Sequence, residues 1–445
     1  MATKPTLVRV LGLRDLTLLV IGSVIGSGIF LVPGAVQRQV GGSAGLALLV
    51  WVAGGLLSLV GALTYGELAA MKPEAGGLYV YIRDCFGNLV AFLYGWTLFL
   101  VIATGSIATL AVAFSTYLAQ VIPLNSVEMK IASILMIALV TAVNMYGTRQ
   151  GADVQNWTSF IKIALILAMT GVLLWLGRGF KGSGAALWPE HITGSLFSGF
   201  GVAMIAVLWA YEGWQFIAYS AGEALHPQRD FPRAFFYGNA SLIGVYVLAV
   251  LSYLVALGPQ AAARSDTVAA TAMSAVLGPT AAKLVALMIL ISVFGGANSI
   301  QLTAPRVFYA MAADGLFFRR LAEVHPRFRT PAIAVLTSGV WAAFLACLGS
   351  FQQLLTYVIF TGWIFYGLAG ASIFVYRRRQ PNLERPYRVP GYPWTPALFV
   401  LAAAALVLNA IAAGPSGAAE GLGITFLGLP AYFIWRARAA RTTAS

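Results

Sequence analysis

Apolar runs of about twenty residues recur along the whole chain, divided by short polar stretches. A helix crossing the roughly 30 Å hydrocarbon layer needs about 20 predominantly apolar residues. Twelve runs meet that length, at about 14–37, 44–70, 88–119, 128–146, 156–177, 195–224, 232–257, 279–311, 331–349, 353–376, 396–412 and 418–437. They predict an all-α polytopic membrane protein of twelve transmembrane helices, without a separate soluble domain. An even number of crossings puts both termini on one side. The first run is too long for a cleaved signal peptide, and Pro33-Gly34 follows it in place of a cleavage site.

Composition agrees with that pattern. Hydrophobic residues make up 59% of the 445 positions and charged residues only 10%, against about 25% charged in soluble domains. The net charge of +13 would suit nucleic acid if it were gathered on one face. Instead, about 20 of the 28 Lys and Arg fall on one set of alternating loops and about 6 on the other, which is the positive-inside pattern. The rich set includes Arg229, Arg233, Arg319, Arg320 and the run Arg377-Arg378-Arg379. These loops and both termini are therefore expected on the cytoplasmic face of the cell membrane, with lipid as the surroundings and no nucleic-acid partner.

Little else in the chain points to enzyme chemistry. Cys85 and Cys347 are the only cysteines, and His191, His226 and His325 form no cluster, so neither a metal nor a cofactor is expected. Gly41 to Gly45 fits G-x-S-x-G, and Gly177 to Gly182 fits G-x-G-x-x-G. Neither has the strand context that gives those patterns meaning. No convergent His, Asp, Ser or Cys set lies inside the spans, so the chain is not expected to be an enzyme.

Two runs are interrupted. The first holds Gly22-Ser-Val-Ile-Gly-Ser-Gly-Ile-Phe30, with three glycines and two serines at mid-span. Taken alone, Gly22-xxx-Gly26 reads best as a small-residue packing motif. The sixth run carries Glu212-Gly213 with apolar sequence on both sides, and a carboxylate at that depth is costly unless it faces water or a partner. Five spans separate the two interruptions. Two five-helix inverted repeats, 14–177 and 195–376, each opening with a broken helix, predict that spacing, with 396–437 as two additional helices. The paired breaks turn the first glycine stretch from a packing motif into half of a site.

Several ordered motifs carry a resemblance. Gly26-Ser-Gly-Ile-Phe30 with Pro33-Gly34, Tyr65-Gly-Glu-Leu68, Trp209-Ala-Tyr-Glu-Gly-Trp214, and Asn298 to Arg306 with Asp314-Gly315 are similar to the amino acid–polyamine–organocation superfamily. The loop Arg385-Pro-Tyr-Arg-Val-Pro390 resembles the L-type amino acid transporter branch and its bacterial relatives. The resemblance implies a LeuT-like fold with discontinuous first and sixth helices, and amino acids as substrates.

A free amino acid has a carboxylate and an ammonium. Half-helix N-termini suit the first and exposed carbonyls the second. The N–H groups around Gly26, Ser27 and Gly28 are candidates for the carboxylate, and carbonyls at Val24, Ile25, Trp209 and Glu212, beside Gly213, for the ammonium. The resemblance makes Trp209 an aromatic gate. Tyr211 is either a cavity or a packing residue. Asn298 either reaches the cavity or bonds between helices, and Phe360 and Trp363 either line a side-chain pocket or pack. Lys162 lies well inside the fifth run. In sodium-independent members of the superfamily a lysine at this point occupies the region where sodium binds in coupled relatives, which implies sodium-independent transport with Lys162 as the coupling residue. Exchange of neutral L-amino acids is the leading expectation. Proton symport through Lys162, or a cationic amino acid or polyamine drawn by Glu212, remains open. Glu67 and Glu223 are expected to pair with arginines at the inner ends of helices. Eukaryotic L-type transporters bond to a heavy subunit through a cysteine in the loop after the third span. Residues 123–128 contain none, so no disulfide-linked subunit is expected.

Overall fold

The computed structural model describes residues 6–183, 187–189, 191, 193–348, 351–413 and 415–443, with the side chains of 182, 183, 351–360, 413, 416 and 438–443 outside that description. Among the described residues the fold is helical, and the one β contact is an isolated bridge between Leu11 and Ala224. Among the same residues nine helices are long and apolar enough to cross a membrane, and a bent pair makes ten. Twelve were expected. The shortfall lies in 331–349, where the helix Ala332–Leu348 has only 17 residues, and in 353–376, which belongs to the helix Phe351–Arg379 with its first ten side chains undescribed.

The bent pair is α1, Leu13–Val24, and α2, Gly28–Gln39, which meet at 49°. It is followed by α3, Ala44–Met71, started by Ser43 accepting the Leu46 N–H. The third crossing, α4, covers Asn88–Leu118 and carries a π turn at Leu98–Ile102. The next helix, α5, Ser126–Tyr146, begins in a reciprocal cap: Asn125 Oδ1 accepts from Val127 and Glu128, and Glu128 reaches back to the Asn125 N–H.

Helix α6, Thr148–Leu176, starts eight residues before the apolar run that predicted it. Five of those eight residues, Thr148, Arg149, Gln150, Asp153 and Gln155, are polar, so the stretch escapes a hydropathy reading. This start of the helix is tied to α1 by Arg149 and by Asn156 just after it, which both bond the buried carboxylate of Asp15, at 3.0 and 2.6 Å. Helix α7, Gly194–Ala210, ends in a turn at Tyr211–Gly213 and continues as a 3₁₀ segment, Trp214–Glu223. Helix α8, Pro227–Leu257, starts on a proline, which needs no partner for its missing N–H. Helix α9, Ala281–Thr303, is almost wholly buried. Against α1 pack α6, α8 and α9, so the first break lies at the centre of the bundle and not on its lipid face.

Candidate functional site

The first break is three residues long. Ile25 leaves the helix with φ −70° and ψ 93°, and Phe30 makes the first back-bond of α2, to the Ser27 carbonyl at 3.1 Å. The first N–H groups of a helix have no intrahelical acceptor, and the N-terminal end carries the positive pole of its dipole. Gly28 packs closely against the second break: a Cβ there would stand 3.0 Å from the Ala210 Cβ.

The second break faces it. Gly213 has φ +125°, a left-handed conformation that side chains rarely adopt, and its N–H donates to Gln215 Oε1 at 3.1 Å. A Cβ on Gly213 would stand 2.7 Å from the Ser23 carbonyl oxygen. Glycine at this point lets the two breaks approach backbone to backbone. Tyr246 of α8 bridges them, its hydroxyl 3.1 Å from the Val24 carbonyl and 3.3 Å from the Ala210 carbonyl.

Between the breaks is a cavity of about 110 Å³. From the first break Ser23, Val24, Gly26, Ser27 and Gly28 line it, and from the second Trp209, Glu212 and Gly213. Glu212 is the charged group on the wall. Its Oε2 has no hydrogen-bond partner, and Gln215, Trp363 and Tyr366 are its electrostatic neighbours. Ser106 and Thr109 of α4 complete the polar lining. Each donates its hydroxyl hydrogen to a carbonyl of its own helix, Ile102 and Gly105 respectively, so their oxygens keep lone pairs free for a donor.

Lys162 lies beside the cavity and fully buried. Its Nζ donates to the Gly22 carbonyl at 2.8 Å and the Ile25 carbonyl at 2.9 Å. It also lies against α9, since a Cβ on Gly295 would stand 2.9 Å from Cε and Nζ. The ammonium thus caps the C-terminal end of α1, the negative pole of that half-helix.

The other expected site residues are distributed as follows. Ile25 is buried and contributes its carbonyl to Lys162, away from the cavity lining. Tyr211 is also off the lining, packed against Trp51 and Tyr246. Asn298 bonds Asn144, Gly151 and Gln155, which takes the interhelical alternative. Trp363 packs on Tyr366 and Phe399. Phe360 lies outside the described side chains. Of the four carbonyls considered for an ammonium, three already accept hydrogen bonds: Val24 from Tyr246, Ile25 from Lys162, and Trp209 from Glu212 N–H at 3.1 Å.

Sequence reasoning missed Ser106, Thr109 and Tyr246. Ser106 and Thr109 are three apart in an apolar helix and so share a face, which was a readable signal. Tyr246 is one tyrosine among 18 and carried none.

The end of the bundle that carries the chain start is tied together by hydrogen bonds and ion pairs. The Val10 and Leu11 N–H groups donate to the Glu223 carbonyl, at 2.8 and 3.0 Å. The Glu223 carboxylate is wholly buried with Arg306, at 2.5 Å from Nε and 2.9 Å from Nη2, and with the Thr148 hydroxyl. Glu67 takes Arg377 at 2.7 Å and the Val389 N–H at 2.6 Å. Both carboxylates are partners of arginines, as their positions predicted.

The amino acid permease family profile matches residues 11–429. The serine/threonine exchanger SteT of Bacillus subtilis (strain 168) is 31% identical over 97% of this chain and 97% of its own. The human large neutral amino acids transporter small subunit 2 is 33% identical over 95% of this chain and 80% of its own. The rat b(0,+)-type amino acid transporter 1 is 31% identical over 93% and 86%.

Proposed function

The chain belongs to the amino acid permease family, and from that premise we propose that it exchanges neutral L-amino acids across the cell membrane without sodium, by alternating access. It is a membrane transporter and not an enzyme. The architecture in this reading is twelve spans, with repeats at 14–177 and 195–376, two further helices at 396–437, and both termini in the cytoplasm. Two facing breaks, one between α1 and α2 and one between α7 and the segment Trp214–Glu223, support the paired-repeat part of it.

One observation carries the mechanism: the Lys162 ammonium holds the Gly22 and Ile25 carbonyls at the end of α1. Those carbonyls have the polarity to bind a cation, and the protein supplies its own. The substrate carboxylate binds the N–H groups at Ser27 and Gly28, and its ammonium turns toward the second break. Trp209 covers the bound molecule. Because Lys162 touches both α1 and α9, tilting of α1 during the transport cycle is coupled to α9. The serine/threonine and neutral amino acid specificities named for relatives agree with the hydroxyls of Ser106 and Thr109 on the wall. No disulfide-linked subunit is part of the reading, since residues 123–128 hold no cysteine.

The test is a thermal-shift screen of the purified protein against all amino acids and common polyamines, since a ligand bound to the folded state raises its apparent stability. Small neutral amino acids should give the largest shifts, and the same compounds should exchange in proteoliposomes. Glu212, with one unpaired carboxylate oxygen on the wall, supports a second reading in which the substrate brings an extra positive charge. Larger shifts with lysine, ornithine or putrescine would select it.

A further inference from the structure

We propose that a groove at the arginine-rich end of α3 and α8 is a binding site for one anionic phospholipid. The proposal is independent of the transport reading and of the central cavity. The groove holds about 620 Å³, and its wall includes Leu63 of α3, Arg229, Arg233, Phe236 and Tyr237 of α8, and Tyr387 of the loop after Phe351–Arg379.

Three observations point to a lipid. First, Arg229 and Arg233 are one helical turn apart and share a face. Both are exposed, and Arg233 has no carboxylate partner among the described residues. Among the described residues Arg229 pairs with the neighbouring Asp230 alone, at 2.9 Å. Second, the Tyr387 hydroxyl is buried in the groove wall without a hydrogen-bond partner. A buried hydroxyl that bonds nothing is costly, and a phosphate oxygen would accept its hydrogen. Third, the groove runs from this polar end along α8 to Phe236 and Tyr237, which are 45% and 51% exposed. They lie roughly 14 Å along the helix from Pro227, and in the proposal the acyl chains begin there. Basic pockets between helices at the membrane surface hold anionic headgroups in this manner. A soluble anion would use the arginines and the hydroxyl but leave the aromatic stretch without a role.

The chemistry is a phosphodiester between the two guanidinium groups and the Tyr387 hydroxyl, with the chains along Phe236, Tyr237 and Leu63. It predicts that phosphatidylglycerol raises the melting temperature of the detergent-purified full-length protein more than phosphatidylcholine does. Arg233→Gln should raise the phosphatidylglycerol concentration for half-maximal effect about fivefold, the loss of one surface arginine's attraction. Tyr387→Phe removes only one oxygen and should weaken the effect severalfold while keeping the fold, so the test stands even if Arg233→Gln does not yield stable protein. Arg319→Gln with Arg320→Gln, elsewhere on the same basic surface, should leave the midpoint unchanged. Three results would overturn the proposal: equal protection by phosphatidylcholine, an unchanged midpoint in Arg233→Gln or Tyr387→Phe, or equal protection by inorganic phosphate or glycerol 3-phosphate.

Discussion

The two breaks face each other across one cavity but are built differently. The first, between α1 and α2, contributes mostly backbone to the wall, and a residue from a third helix holds it in shape. Lys162 reaches in from α6 and takes two of its carbonyls. The second, between α7 and Trp214–Glu223, is held by its own chain, through Gly213 at φ +125° and the Gln215 side chain. It gives the cavity Trp209 and Glu212. In the proposed reading the first break recognises the groups common to all amino acids, while the second offers side chains to the rest of the substrate. Backbone recognition needs an external clamp because three non-helical residues do not fix themselves.

The largest expected effect comes from removing that clamp. Lys162→Met leaves the Gly22 and Ile25 carbonyls unpaired in a buried site, at about 1–3 kcal/mol each. Exchange in proteoliposomes should fall at least about a hundredfold while the protein still elutes as a single species. Near-normal exchange would mean that the first break holds without its lysine. Gly213→Ala probes the self-held break. The left-handed backbone costs about 1–3 kcal/mol for a side chain, and the new methyl meets Ser23. The melting temperature should drop by several degrees, and transport should be lost with it.

Smaller changes sharpen the division between the halves. Trp209→Ala should cut exchange about tenfold with little change in melting temperature, because Trp209 is only partly buried and faces the cavity. Equal losses in both measurements would make it a packing residue. Tyr246→Phe deletes the hydroxyl between Val24 and Ala210. A net hydrogen bond is worth about 1 kcal/mol, so substrate affinity should weaken about fivefold. Tyr211→Phe is the near-silent control. Its hydroxyl bonds nothing, and kinetics and stability should match the parent.

Hydropathy located the helices because lipid demands long apolar runs. It failed where polar residues are satisfied by distant partners, as at Arg149 on Asp15. The first break was legible through its glycines, and Glu212-Gly213 marked the second. The assignment of Val24 and Ile25 to the substrate ammonium did not anticipate that Tyr246 and Lys162 already occupy those carbonyls. Asn298 and Trp363 were left open between lining the cavity and packing, because polar and aromatic groups within spans serve either purpose. Which way each points is decided by helix rotation about its own axis, and a helix buried over most of its length, such as α9, gives no clear polar face from which to read it.

In this account the protein's own ammonium stands where a coupling cation would bind. Exchange of labelled serine, alanine or leucine by purified protein in liposomes tests it, with sodium replaced completely by choline on both sides. The account predicts the same initial rate with and without sodium. A rate that collapses without sodium and recovers in a saturable manner on its return would contradict it.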